Sequence, residues 1–108
     1  MQRRQLALLK AANAEVDFVV TIGGNIIPIE VKSGATGSLK SLHQFMGNKK
    51  SPIAIRFDTQ LPHLHQIDTL IKTKDGGQQI NYPLLSLPLY LVERLEEIVR
   101  GWLEDKRR

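Results

Sequence analysis

Residues 16–32 read Val16-Asp17-Phe18-Val19-Val20-Thr21-Ile22-Gly23-Gly24-Asn25-Ile26-Ile27-Pro28-Ile29-Glu30-Val31-Lys32. Two runs rich in β-branched and aromatic residues flank a Gly-Gly pair, the pattern of a β-hairpin closed by a two-residue turn. Such a loop pairs Ile22 with Asn25 and fixes every other partner. Val20 then faces Ile27, Phe18 faces Ile29 and Val16 faces Val31, all on one apolar face. The opposite face carries Glu15 against Lys32, Asp17 against Glu30, Val19 against Pro28 and Thr21 against Ile26. A slip of one residue mixes the two faces, so the pattern itself supports the register. Pro28 has no N–H, and it is expected to turn that missing donor away from the partner strand or to sit at a bulge.

Working outward, residues 33–37 (Ser-Gly-Ala-Thr-Gly) form a loop and Ser38 is placed to cap a helix. Leu39, Leu42, Phe45 and Met46 recur at helical spacing, and Gly47-Asn48 ends that helix. Residues 53–57 (Ile-Ala-Ile-Arg-Phe) predict a further strand. Strand, helix and strand in this order suggest a right-handed parallel crossover. Residues 58–66, with Pro62, His63 and His65, read as a loop. A second hairpin is expected from residues 67–73 and 78–85 around Asp75-Gly76-Gly77. From Pro88 onward Leu91, Leu95, Ile98, Val99 and Trp102 make the apolar stripe of a helix, with Pro88 in its first turn. Arg100, Lys106, Arg107 and Arg108 fall toward its C-terminal end, where the helix dipole favours cations. Residues 5–12 favour a helix by propensity, with a strand as the alternative.

The chain has 108 residues, which suits one domain, and 42% hydrophobic with 24% charged residues is ordinary for a globular protein. No apolar run approaches the roughly 20 residues that span a bilayer, and the short apolar stretch Leu6 to Leu9 after Met-Gln-Arg-Arg makes no convincing signal-peptide pattern. With no cysteine, disulfides, thiolate zinc sites and cysteine nucleophiles are excluded. The composition fits a cytoplasmic location. The net charge of +4 allows phosphate binding, but five of the 15 basic residues lie at the ends: Arg3, Arg4, Lys106, Arg107 and Arg108.

Asp17 opposite Glu30 is the pair that points to chemistry. Directly opposed strand residues have Cβ atoms about 4.5–5.5 Å apart, where two like charges destabilise a sheet. A divalent cation relieves that repulsion, because Mg²⁺ takes oxygen ligands and is often held by one or two carboxylates plus waters. Lys32 emerges on the same face, since Val31 between it and Glu30 points the other way. Its ammonium can orient a water or stabilise charge on a phosphate. The carbonyl of Val31 is a further hard ligand for the ion.

Residues 15–34, with Asp17 on one strand and Glu30-Val31-Lys32 on the next, resemble the signature of the PD-(D/E)XK nuclease superfamily. Residues 14–95 also resemble a domain of unknown function found at the C-terminus of bacterial AAA-type ATPases. The runs at residues 38–45 (Ser-Leu-Lys-Ser-Leu-His-Gln-Phe) and 87–91 (Leu-Pro-Leu-Tyr-Leu) share that texture. The resemblance implies a mixed α/β (α+β) restriction-endonuclease-like core, a central mixed sheet flanked by helices. It implies that Asp17 and Glu30 hold Mg²⁺ or Mn²⁺ and that Lys32 is the catalytic lysine, with Glu15 and Gln44 in support. It also implies that residues 6–10 form a first strand, against their helical propensity.

The chain departs from that pattern in two ways. Residues 1–13 contain no acid and are too few for both the helix and the strand that precede the Asp-bearing strand in the superfamily. No Gly-rich phosphate-binding loop of an ATPase is present. The chain reads as a truncated C-terminal piece, and a truncated sheet favours a homo-oligomer that completes it. Arg56 and Lys40 are the candidate nucleic-acid contacts, and DNA the candidate partner. The alternative is a catalytically silent nucleic-acid-binding or oligomerisation module of an ATPase. His63 and His65 lack an obvious third ligand for a metal. Trp102 and Tyr90 read as core or interface, not as base-stacking platforms.

Overall fold

The structure, a computed structural model, describes residues 9–10, 16–32 and 39–107. Glu15, the Ser38 cap and residues 5–8 therefore lie outside the described residues. Among the described residues, six strands form one mixed sheet: β1 (Leu9–Lys10), β2 (Phe18–Ile22), β3 (Asn25–Val31), β4 (Ala54–Asp58), β5 (His63–Ile71) and β6 (Gln78–Pro88). Their spatial order is β1-β2-β3-β4-β6-β5. β1, β2 and β3 run antiparallel, β3, β4 and β6 run parallel, and β5 returns antiparallel along β6. Helix α1 (Lys40–Asn48) connects the parallel pair β3 and β4, and helix α2 (Leu95–Arg107) closes the chain. None of the described helices is long and apolar enough to cross a membrane.

The first hairpin has the predicted register: Phe18 pairs with Ile29, Val20 with Ile27 and Ile22 with Asn25. Its turn works because Gly23 and Gly24 both adopt positive φ, 59° and 79°, which matches the twist of the flanking strands and is open to glycine at no steric cost. Asn25 closes the turn by donating from Nδ2 to the carbonyl of Gly23 at 3.2 Å. The N–H of Lys32 reaches Phe57 O at 2.8 Å, so by alternation the nitrogen of Pro28 also aims toward β4. Pairing with β4 begins only at Ile29, so no ladder bond is asked of the proline.

Alternation sorts the core onto two faces. One carries Val20, Ile22, Ile27, Ile29, Ile55, Phe57 and Leu87, covered by Leu95 and Val99 of α2. The other carries Ala54, Ile80, Tyr82 and Leu84, covered by Leu42 and Phe45 of α1. Fully burying each such Leu, Ile or Phe contributes roughly 1.5–3 kcal/mol. In α2, Glu96 and Glu97 occupy the first turn and Lys106 and Arg107 the last, both favourable to the helix dipole.

Four expectations change. Val16 does not face Val31: the chain bends at Val16 and Asp17, sending Val16 into the α1-side cluster and leaving Val31 exposed. His63 and His65 are not in a loop, because β5 begins at His63, where each residue gains a backbone partner on β6. Pro88 ends β6 and does not open the α-helix; a 3-10 helix (Leu89–Arg94) intervenes and α2 starts at Leu95. Leu9 and Lys10 pair with Val19 and Phe18 as a strand, so available ladder bonds outweigh the helical propensity of that stretch. The second hairpin forms, three residues longer at the far end of β6 than expected.

Candidate functional site

The site lies at the carboxyl ends of β3, β4 and β6, on the face that α1 covers only in part. In sheets with parallel strands this end is where ligands ordinarily bind. Glu30 and Lys32 leave the end of β3 on one face because Val31 takes the other. Asp17 stands just before β2. Its backbone N–H donates to Glu30 Oε1 at 2.9 Å, and its own Oδ2 accepts the N–H of Val31 at 2.9 Å. The bend at Val16 and Asp17 thus replaces two ladder bonds with two carboxylate bonds. Asp17 and Glu30 are neighbours, as the hairpin requires, but through this reciprocal clasp and not as an ordinary cross-strand pair.

Lys32 Nζ lies 3.4 Å from Glu30 Oε2. Glu30 is only 4% exposed, and burial, followed by the nearby charge of Asp17, raises its pKa above the ordinary 4.5; the Asp17 N–H and Lys32 act in the opposite sense. A carboxyl held between an acid and an ammonium in this way is a candidate for function.

Register extends the site across the sheet. Glu30 pairs with Arg56, Arg56 with Ser86, and Ser86 with His63, so four polar side chains cross four strands in one row. The Arg56 guanidinium donates to Ser86 Oγ through Nε at 3.2 Å and Nη2 at 3.0 Å, and its Nε lies 3.3 Å from Asp58 Oδ2. Asp58, itself buried, accepts the N–H of Gln60 at 2.9 Å. His65 sits within the field of Arg56 and Asp58 and stacks edge-on with His63, ring centroids 3.8 Å apart. Behind the row, His43 of α1 meets Tyr82 Oη through Nδ1 at 2.8 Å. Burial lowers the pKa of His43 and raises that of Tyr82.

The predicted residues divide accordingly. Asp17, Glu30, Val31 and Lys32 come together. Arg56 does approach the acidic face, but Ser86 and Asp58 hold it and it is only 20% exposed. Lys40 opens α1 on an exposed position and Gln44 is half-buried on the same helix. Sequence reasoning missed Asp58 and Ser86, whose membership depends on the parallel pairing of β4 with β6; no local motif marks it.

The donor set near Glu30 fits a hard cation in part. Asp17 is exposed and its Oδ1 takes no part in the clasp, and each carboxylate oxygen keeps a second lone pair. Two carboxylates with waters suffice for Mg²⁺. Among the described residues, no three His, Cys, Asp or Glu side chains converge as a closed metal cage.

One family model matches residues 6–85, and its description is a domain of unknown function (DUF4143). No curated protein and no solved structure matches.

Proposed function

The chain belongs to the DUF4143 family, and we propose that its site handles phosphodiesters as a nuclease-like domain, with a single divalent cation held by Asp17 and Glu30. The observation that carries this reading is the clasp itself: two acids brought together from the two arms of the hairpin, with Lys32 3.4 Å from one of them. Two adjacent carboxylates repel, and a bound divalent cation would offset that cost. Asp17, at the solvent side, and Glu30 would hold Mg²⁺ or Mn²⁺, with the Val31 carbonyl as a further oxygen. When bound, the ion supplies charge neutralisation at phosphate and a more acidic water. Lys32 presents an ammonium to an incoming phosphate oxygen and stabilises its negative charge. Arg56, fixed by Ser86 and Asp58, adds positive potential without having to reorganise. DNA is the proposed substrate.

The test is calorimetric binding of Mn²⁺ by the wild-type chain, Asp17→Asn and Glu30→Gln, beside cleavage of end-labelled DNA. The expected result is one ion bound by wild type, with both binding and cleavage lost in each variant. Equal Mn²⁺ binding by all three proteins would sink the metal role of the pair.

One observation favours a second reading, a silent nucleic-acid-binding module. Asp17 Oδ2, Glu30 Oε1 and Glu30 Oε2 each already face a protein donor, so the clasp is satisfied as it stands. That reading expects salt-sensitive DNA binding that both substitutions leave intact.

A further inference from the structure

Among the described residues, strand β5 (His63–Ile71) forms one margin of the sheet and pairs on one side only, with β6. Natural sheets protect such margins with lysine, proline, a bulge or a very short strand. β5 uses none of these. It is nine residues long, its pairing with β6 runs unbroken from His63 to Ile71, and Asp68 is its only Asp, Glu, Lys or Arg. Leu64 and Leu70 are 50% and 67% exposed. Both project to the α2 side of the sheet, where Leu64 stands beside Leu85 and Leu70 beside Gln79. They lie symmetrically about Ile67.

We propose that β5 pairs antiparallel with β5 of a second copy of this chain, about a two-fold axis at Ile67, to join two sheets into one. Of the registers centred on Gln66, Ile67 and Asp68, that one is self-complementary. Leu64 of each copy faces the partner's Leu70, Gln66 faces the partner's Asp68, His65 faces the partner's Thr69, and Ile67 meets its own counterpart. Asp68 and Gln66 already bond to Gln79 and Asn81 within their own hairpin, yet each keeps a free lone pair or amide hydrogen for the second copy. An axis at Asp68 sets two carboxylates against each other, which is destabilising. An axis at Gln66 opposes Leu64 to Asp68. Both lose the two leucine contacts. The interface is isologous and closes, so it yields a dimer and not a fibre. An axis normal to the sheet leaves the Glu30–Arg56–Ser86 face of both copies on the same side. Pairing of two strands alone falls near the low end of the roughly 1,200–2,000 Å² of stable interfaces, so the dimer is reversible and depends on concentration.

Sedimentation velocity across the micromolar range tests the dimer, and disulfide trapping tests its register. Wild type is expected to pass from monomer to dimer with concentration. Leu64→Lys and Leu70→Lys, both at exposed positions, are expected to stay monomeric with unchanged circular dichroism. The chain has no cysteine, so introduced thiols report cleanly. Leu64→Cys mixed with Leu70→Cys is expected to give a disulfide-linked dimer several-fold faster than either variant alone, and this readout stands even where a lysine variant misfolds. A wild-type chain that remains monomeric throughout, a dimer that survives both lysines, or cysteine variants that cross-link with themselves as readily as with each other overturns the proposal.

Discussion

Asp17 and Glu30 hold each other through the backbone: the Asp17 N–H binds Glu30 Oε1 at 2.9 Å while Asp17 Oδ2 binds the Val31 N–H at the same distance. The clasp gives the end of the hairpin its shape and keeps two acids adjacent. It also bears on how the hairpin end responds to pH and to substitution.

Glu30 has a folded pKa raised above 4.5, by burial first and by the Asp17 charge second. The folded chain therefore binds this proton more tightly than the unfolded chain. The associated stability is fully present below the unfolded value and is lost as pH rises through the folded one. Glu30→Gln keeps an oxygen for the Asp17 N–H and removes the charge. In chelator its melting temperature is expected to exceed that of wild type at neutral pH, with the gap closing in acid. A neutral-pH melting temperature below wild type would show that the Lys32 pairing outweighs burial and repulsion.

His43 titrates in the opposite sense. Burial lowers its pKa below 6.5, so the unfolded chain binds the proton more readily. Stability is held at neutral pH and lost as pH falls from 6.5 toward the lower folded value. His43→Gln is expected to flatten part of this acid slope in a series of denaturant melts. His65, also lowered by burial first and then by His63 and Arg56, with Asp58 acting in the opposite sense, retains its own share. Tyr82→Phe leaves Nδ1 of His43 without the hydroxyl and is expected to cost about 1–2 kcal/mol at neutral pH. An unchanged slope in His43→Gln contradicts the assignment.

The turn glycines carry conformations that a side chain resists. Gly24 has φ of 79° and open space where a Cβ would stand, so Gly24→Ala is a pure backbone test. It is expected to cost about 1–2 kcal/mol in chemical denaturation. Gly24→Asn is expected to cost less, because asparagine tolerates the left-handed region. Equal losses in the two variants would locate the strain elsewhere.

Arg56 is held by Ser86 and lies against buried Asp58. Arg56→Met keeps the aliphatic length and strands the carboxylate, with an expected cost of about 1–3 kcal/mol. Arg56→Met combined with Asp58→Asn is expected to recover part of that loss, as a double-mutant cycle over all four proteins would read. Strict additivity would mean the two groups do not interact.

The stretch from Phe18 to Val31 determined its own hairpin. A Gly-Gly turn fixes the loop, and alternation rules out a one-residue slip, so both signals are local and readable before any coordinates. The nearness of Asp17 to Glu30 followed from the same logic, as did the apolar stripe of α2 from its helical period. What only the tertiary structure decided is how separate elements meet. Val16 left the predicted face because a bend placed it under α1, where Leu42 and Phe45 could bury it. Ser86 and His63 joined the row with Glu30 and Arg56 because β4 inserts between β3 and β6, and β5 folds back along β6. The parallel pairings that set that row join strands far apart in sequence, and their register is set by packing on both faces of the sheet, not by any turn that a short motif could encode.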